Sequence, residues 1–271
     1  MRRESCHSKT GALGSKRQMR TLVTVLMGFL LLVSKSARAQ GVVLALPLQD
    51  QQLIAARLGP RIVGEALPSK PIDDASIYFP LENRVPIYQI SSGPEAGNLE
   101  SAEIARVRRP RGRLAWRFRL SPSLTAFIAQ TTDLSLVMSA VSDQDEGLVV
   151  VTRPGNPFIP KGMQPGETRS ISQRVSVNYL DNPTEQDYSG TINETYTYVG
   201  TYKVTVPAGT FPAVLFRATA EGKVGPAYTR DVSYNFFAPK VGMVAMIMQE
   251  NVTALWIFHI DTATGRVLVT N

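Results

Sequence analysis

From Ser76 onward, apolar residues recur at every second position and almost nowhere at helical spacing. The clearest stretch is Arg113 to Leu120. Leu114, Trp116, Phe118 and Leu120 share one parity; Arg113, Ala115, Arg117 and Arg119 share the other. Side chains of a strand alternate between the two faces of its sheet, so this stretch needs one buried face and one wet face. Ile171, Val175, Val177 and Tyr179 repeat the pattern, as do Ile192, Tyr196, Tyr198, Tyr202, Val204 and Val206. Tyr228, Val232, Tyr234 and Phe236 follow, then Trp256, Phe258 and Ile260. Turn signals separate them, among them Pro165-Gly166, Pro207-Ala208-Gly209 and Ala238-Pro239. About ten strands at this spacing predict an all-β fold with minor α content, either a curved antiparallel sheet or a half-open β-barrel.

The N-terminal third reads differently. Leu22 to Val33 is an apolar run preceded by Arg17 and Arg20 and followed by Ala37-Arg38-Ala39. That order matches a secretory signal peptide over residues 1–39, cleaved after Ala39. The run is too short to span a bilayer, which needs about 20 apolar residues. Met19 stands directly before Arg20 and is a second candidate start. No cysteine follows the apolar run to carry a lipid, so the reading is a periplasmic or secreted chain that is not a lipoprotein. Residues 40–75 read as an N-terminal arm with a short helix over Gln49 to Leu58, stopped by Gly59-Pro60. Residues 76–271 form the β domain.

Residues 1–39 carry eight of the 29 Lys/Arg and one of the 22 Asp/Glu, so the whole formal charge of +7 resides there. The remaining 232 residues are neutral, hold no cysteine and retain one histidine, His259. A neutral body argues against a nucleic-acid partner. Having no cysteine and one histidine excludes disulfides, zinc–thiolate centres and multi-histidine metal sites there, and the sequence implies no cofactor. Without disulfides, stability must come from the core, which a domain of this size can supply.

One segment goes beyond alternation. Tyr198 to Phe211 reads YVGTYKVTVPAGTF and continues PAVLFR to Arg217; Tyr234 to Val244 reads YNFFAPKVGMV. Pro207 ends a strand, Gly209 permits positive φ in the turn, and Phe211 re-enters the apolar face; Pro239 and Gly242 repeat the device. Residues 150 to 260 thereby resemble bacterial periplasmic domains similar to the outer-membrane lipoprotein carrier superfamily. The resemblance implies a half-open antiparallel barrel around an apolar cavity, and a carrier-like rather than catalytic role. Residues 40 to 110 have no counterpart in such carriers.

Two residue sets are candidate sites. Tyr179, Tyr196, Tyr198, Tyr202, Tyr228 and Tyr234, with Trp116 and Phe118, are candidates to line a pocket for a lipid or other amphipathic ligand. The alternative is an ordinary aromatic core. Arg113, Arg117 and Arg119 are the centre of an arginine-rich stretch suited to an anionic envelope component, because guanidinium groups bind phosphate and carboxylate bidentately. The alternative is a solvated strand face whose arginines pair with carboxylates such as Glu100 and Glu103. By parity, Met243, Met246 and Met248 fall on both faces of their strand and do not converge on a metal. Asp143 to Gly147 lacks the spacing of an EF-hand loop and reads as a hairpin turn. His259 has no nucleophile elbow to serve, and no two carboxylates stand out as an acid–base couple. Three functions follow, in order: a non-enzymatic envelope protein that binds an amphipathic ligand; an interaction module bridging envelope partners through the arginine strand; and a hydrolase using carboxylates and His259.

Overall fold

The computed structural model describes residues 41–108, 114–254 and 258–271; the side chains of residues 114, 254 and 258–260 are outside that description. The expected signal peptide and cleavage point, together with Arg113 and Trp256, lie outside the described residues. So does the His259 side chain.

The arm contributes helix α1 (Leu48–Leu58) and strand β1 (Val63–Leu67), then a 3₁₀ turn, Ala75–Ile77. The remaining strands are β2 (Ile87–Ser92), β3 (Leu99–Ser101), β4 (Glu103–Arg108), β5 (Leu114–Arg119), β6 (Leu124–Gln130), β7 (Leu136–Asp143) and β8 (Leu148–Ile159). They continue as β9 (Thr168–Tyr179), β10 (Gln186–Val206), β11 (Gly209–Val224), β12 (Ala227–Ala238), β13 (Gly242–Ala254) and β14 (Phe258–Thr270). From β4 to β14 each strand pairs antiparallel with the next, β14 pairs with β2, and β2 with β3.

The two ends of this sheet are one piece of chain. β3 and β4 are separated only by Ala102, yet β3 pairs with β2 and β4 with β5. Around that junction Arg84 and Ile104 exchange backbone hydrogen bonds at 3.0 and 2.9 Å, and the Ala102 N–H donates to the Pro86 carbonyl at 2.9 Å. One extended run thus joins both edges, and the sheet curls into a nearly closed barrel with little exposed edge. The expected fold class holds, with a tighter closure than a half-open barrel.

Pro207 and Gly209 act as their sequence predicts: β10 ends at Val206, and β11 starts at Gly209 with φ +136°. Gly242 opens β13 with φ +100°, and a Cβ there would collide with the Arg84 guanidinium.

Two β-bulges reset the strand parity. In β10, Tyr198 faces Phe216 but Gly200 faces Leu215, so Val199 is an extra residue. In β13, Ala245 faces Phe236 but Met243 faces Phe237, so Val244 is extra. A single inserted residue sends every later side chain to the other face. The first bulge lies where β10 changes neighbours. β9 pairs with residues as far as Thr197, and β1 takes over at Thr201, Tyr202 and Val204.

The arm packs on the outer face and then enters the barrel. Asp50, Ile54 and Leu58 recur every four residues along α1 and are its buried face. Asp50 accepts hydrogen bonds from Arg217 of β11 and Tyr234 of β12. After β1 the chain turns inward. Ile72 exchanges backbone hydrogen bonds with Gly162 and Met163, and the Lys240 N–H donates to the Ile77 carbonyl. Phe79, fully buried, meets Phe118, Phe158 and Phe237 edge-on with ring centroids 5.5, 5.1 and 6.3 Å away. The chain that continues from the arm therefore stoppers one end of the barrel with an aromatic plug.

Candidate functional site

Above the plug the barrel is not filled. A cavity of about 300 Å³ opens between the β5–β8 wall and the β10–β13 wall. Phe118, Leu120, Leu124, Met138 and Phe158 line one side; Tyr196, Phe216, Ala218 and Ala220 line the other. The small side chains of Ala218 and Ala220 leave the space that larger residues would close.

Met243, Met246 and Met248 all face this cavity. This corrects the expectation that they split between faces: the extra residue Val244 turns Met243 to the side of the other two. Unbranched thioethers adapt to apolar partners of varied shape.

The sequence-predicted pocket residues separate. Phe118 and Tyr196 line the cavity. Tyr198 stacks on Phe216 at its base, 5.3 Å between ring centroids, and its hydroxyl donates to the Lys70 carbonyl at 3.1 Å. Trp116 is half-buried on the Phe118 face of β5. The Val199 bulge sends Tyr202 to the opposite face from Tyr196 and Tyr198. Tyr234 points to Asp50 on the outer layer, its hydroxyl 2.8 Å from the carboxylate. Tyr228 is 48 % exposed and Tyr179 38 % exposed near strand ends.

The two candidate arginines among the described residues share one carboxylate. Arg117 and Arg119 both contact Glu103 at 2.9 Å. Glu100 pairs with Arg266 at 2.6 Å. The Asp143 carboxylate accepts the N–H groups of Asp145 and Glu146 and closes the β7–β8 turn.

Three carboxylates at the site escaped the sequence reading, in which no two stood out as an acid–base couple. Glu194 faces Ala220 across β10 and β11, and Ala220 faces Asp231 across β11 and β12. The flanking pairs Thr229–Val252 and Val232–Gln249 put Asp231 opposite Glu250. Glu194, Asp231 and Glu250 thus form one transverse row, and all three line the cavity. Directly opposed residues project from the same face. Asp231 lies six residues along β12 from Phe237, so the row stands about 20 Å along that strand from the aromatic plug. The cavity is apolar in its depth and acidic at its outer end.

Burial disfavours the charge on each member. Glu194 is 4 % exposed, and its carboxyl is pushed up from the ordinary 4.5 to about 7, moderated by a hydrogen bond from Asn156. Its Oε2 has no hydrogen-bond partner among the described residues. Asp231 is raised by burial and held back in part by hydrogen bonds from Thr229 and the Asn251 backbone. Glu250, at the solvent edge, is raised by partial burial and then by the charge of Asp231, and held back in part by a hydrogen bond from Thr262 and by Arg266. One signal for Glu194 was present in the sequence: it interrupts the apolar stripe Ile192, Tyr196, Tyr198 at the same parity. Glu250 likewise follows Met246 and Met248. Asp231 shares parity with Ser233 and Asn235 and carries no such signal.

No protein-family model matches the sequence, and no curated protein matches it. Two solved structures are similar to the chain in outline. One, from Bacteroides fragilis, is described as an exported protein with a YmcC-like fold; it is 12% identical, covers 74% of this chain and 98% of its own, and has a TM-score of 0.37. The other, from Parabacteroides distasonis, is described as a lipoprotein; it is 13% identical, covers 73% of this chain and 99% of its own, and has a TM-score of 0.33.

Proposed function

We propose that this chain is an exported, non-enzymatic cell-envelope protein that binds a lipid or another amphipathic ligand inside its barrel. The observation that carries the reading is the cavity: about 300 Å³, walled by aromatic, aliphatic and methionine side chains, stoppered at one end and acidic at the other. Pockets of this kind bind by burying apolar surface, while a few polar groups fix orientation. Export rests on the leader pattern of residues 1–39. Among the described residues, no helix is long and apolar enough to cross a membrane.

The arginine strand is the weaker candidate for a binding face, because Arg117 and Arg119 already share Glu103. The test is ligand-dependent stabilisation of delipidated protein. A ligand that binds only the folded state raises the melting temperature in a concentration-dependent way. Single-chain amphiphiles below their micellar concentration are expected to do so. A flat response across anionic, cationic and neutral amphiphiles overturns the reading.

A further inference from the structure

We propose that the ligand's polar end is cationic, an ammonium-type group on an apolar chain, held at the row formed by Glu194, Asp231 and Glu250. This rests on the cavity being a ligand site and goes on to name the class of ligand.

The geometry is amphipathic along one axis. Phe118, Phe158 and Phe216 surround the deep end, where an apolar chain belongs. The three carboxylates stand at the outer end in one transverse row across β10, β12 and β13, with Ala220 of β11 between the first two. Glu194 is the telling member. It is almost fully buried, it lines the cavity, and its Oε2 has no partner among the described residues. A buried acceptor left unpaired is costly, so a donor arriving with the ligand gains more there than in water. Asp231 and Glu250 face each other across neighbouring strands, where like charges repel. A cation between them relieves that repulsion.

The protein's own cations near the row are engaged elsewhere. Arg169, beside Tyr196, binds Glu167 at 2.6 Å; Arg266, which faces Met246 from β14, binds Glu100 at 2.6 Å and acts on Glu250 only as the weakest of the influences on it, after the Thr262 hydrogen bond. Asp143, from the β7 side, adds further negative potential at Glu250. Among the described residues no three acidic or histidine side chains converge closely enough to hold a metal ion. The row's spread, with Ala220 between Glu194 and Asp231, suits a larger cation with several N–H donors.

The test uses the full mature chain, delipidated, with three probes of equal chain length: decylammonium, decanoate and decanol. Calorimetric titration at pH 8 and low salt is expected to show decylammonium binding about tenfold or more tightly than either of the others. In the Glu194→Gln/Asp231→Asn/Glu250→Gln variant this preference collapses while decanol binding is retained. A second measurement needs no variant. Because Glu194 takes up a proton near pH 7, decylammonium affinity falls as pH is lowered from 8 to 5.5 and decanol affinity does not. Equal binding of all three probes, or preference for decanoate, overturns the cationic head group and leaves the amphipathic cavity standing. Binding of none overturns the cavity reading and this inference with it.

Discussion

Asp50, on the buried face of α1, accepts a hydrogen bond from Arg217 at 2.9 Å, 167 residues further along the chain. Asp50 is 1 % exposed, and its second partner, the Tyr234 hydroxyl, is 2.8 Å away. The pair fixes the arm to the outer face of the barrel, and the arm's continuation supplies the plug beneath the cavity. Asp50 is buried and Arg217 is 29 % exposed, so removing Asp50 leaves a partly buried guanidinium and the Tyr234 hydroxyl without their acceptor. Asp50→Ala is therefore expected to destabilise the protein by about 3 kcal/mol in urea denaturation. Tyr234→Phe, which removes one hydrogen bond, is expected to cost about 1 kcal/mol. Equal stability of Asp50→Ala and wild type shows that the arm is not anchored there.

Glu194 makes stability depend on pH in a direction opposite to a salt-bridged carboxylate. Its folded-state pKa is raised from 4.5 to about 7, so the folded state holds the proton more tightly than the unfolded chain. This group's contribution is fully favourable below about pH 4.5, declines as pH rises, and has been lost above about 7. Glu194→Gln, which cannot ionise, is expected to match wild type at pH 4 and to exceed it by up to about 3 kcal/mol at pH 8. Chemical denaturation at the two pH values checks it. An unchanged difference between them contradicts the burial of a titrating carboxyl.

The cavity exists in part because Ala218 and Ala220 are small. Ala218→Trp projects an indole into open space rather than into packed core, so the fold is expected to survive with a stability change of about 1 kcal/mol or less. Amphiphile binding by calorimetry is expected to be lost. Retained binding places the ligand elsewhere.

Alternation made the fold class legible and misplaced its faces at two points. The strands, their antiparallel order and the Pro207–Gly209 turn follow from local pattern. The bulges at Val199 and Val244 do not. A strand with one extra residue keeps the same alternation in its sequence while reversing its orientation, and only the partner strand reveals the count. This is why Tyr202 parted from Tyr196 and Tyr198, and why Met243 joined Met246 and Met248. The acidic row was hidden for a related reason. Glu194, Asp231 and Glu250 lie on separate strands and are neighbours only through register. Barrel closure was equally invisible, since nothing about Leu99 to Arg108 shows that its halves pair with opposite edges.

The Val199 bulge gives its own prediction. Deleting Val199 removes the parity switch and turns Tyr202, Val204 and Val206 from the arm toward the interior, or else tears β10 from β11. Either outcome is incompatible with the native core. The deletion variant is expected to yield no soluble folded protein, judged by near-ultraviolet circular dichroism, whereas Val199→Ala, which keeps the extra residue, is expected to fold. A native-like deletion variant contradicts the role given to the bulge.

The most direct measurement is native mass spectrometry of the protein purified without detergent from cells that express the full chain. If the barrel carries an amphipathic ligand, wild type shows an adduct that dissociates on activation and is absent from Ala218→Trp purified in parallel. Wild type and variant both appearing at the bare chain mass would contradict a ligand-carrying barrel.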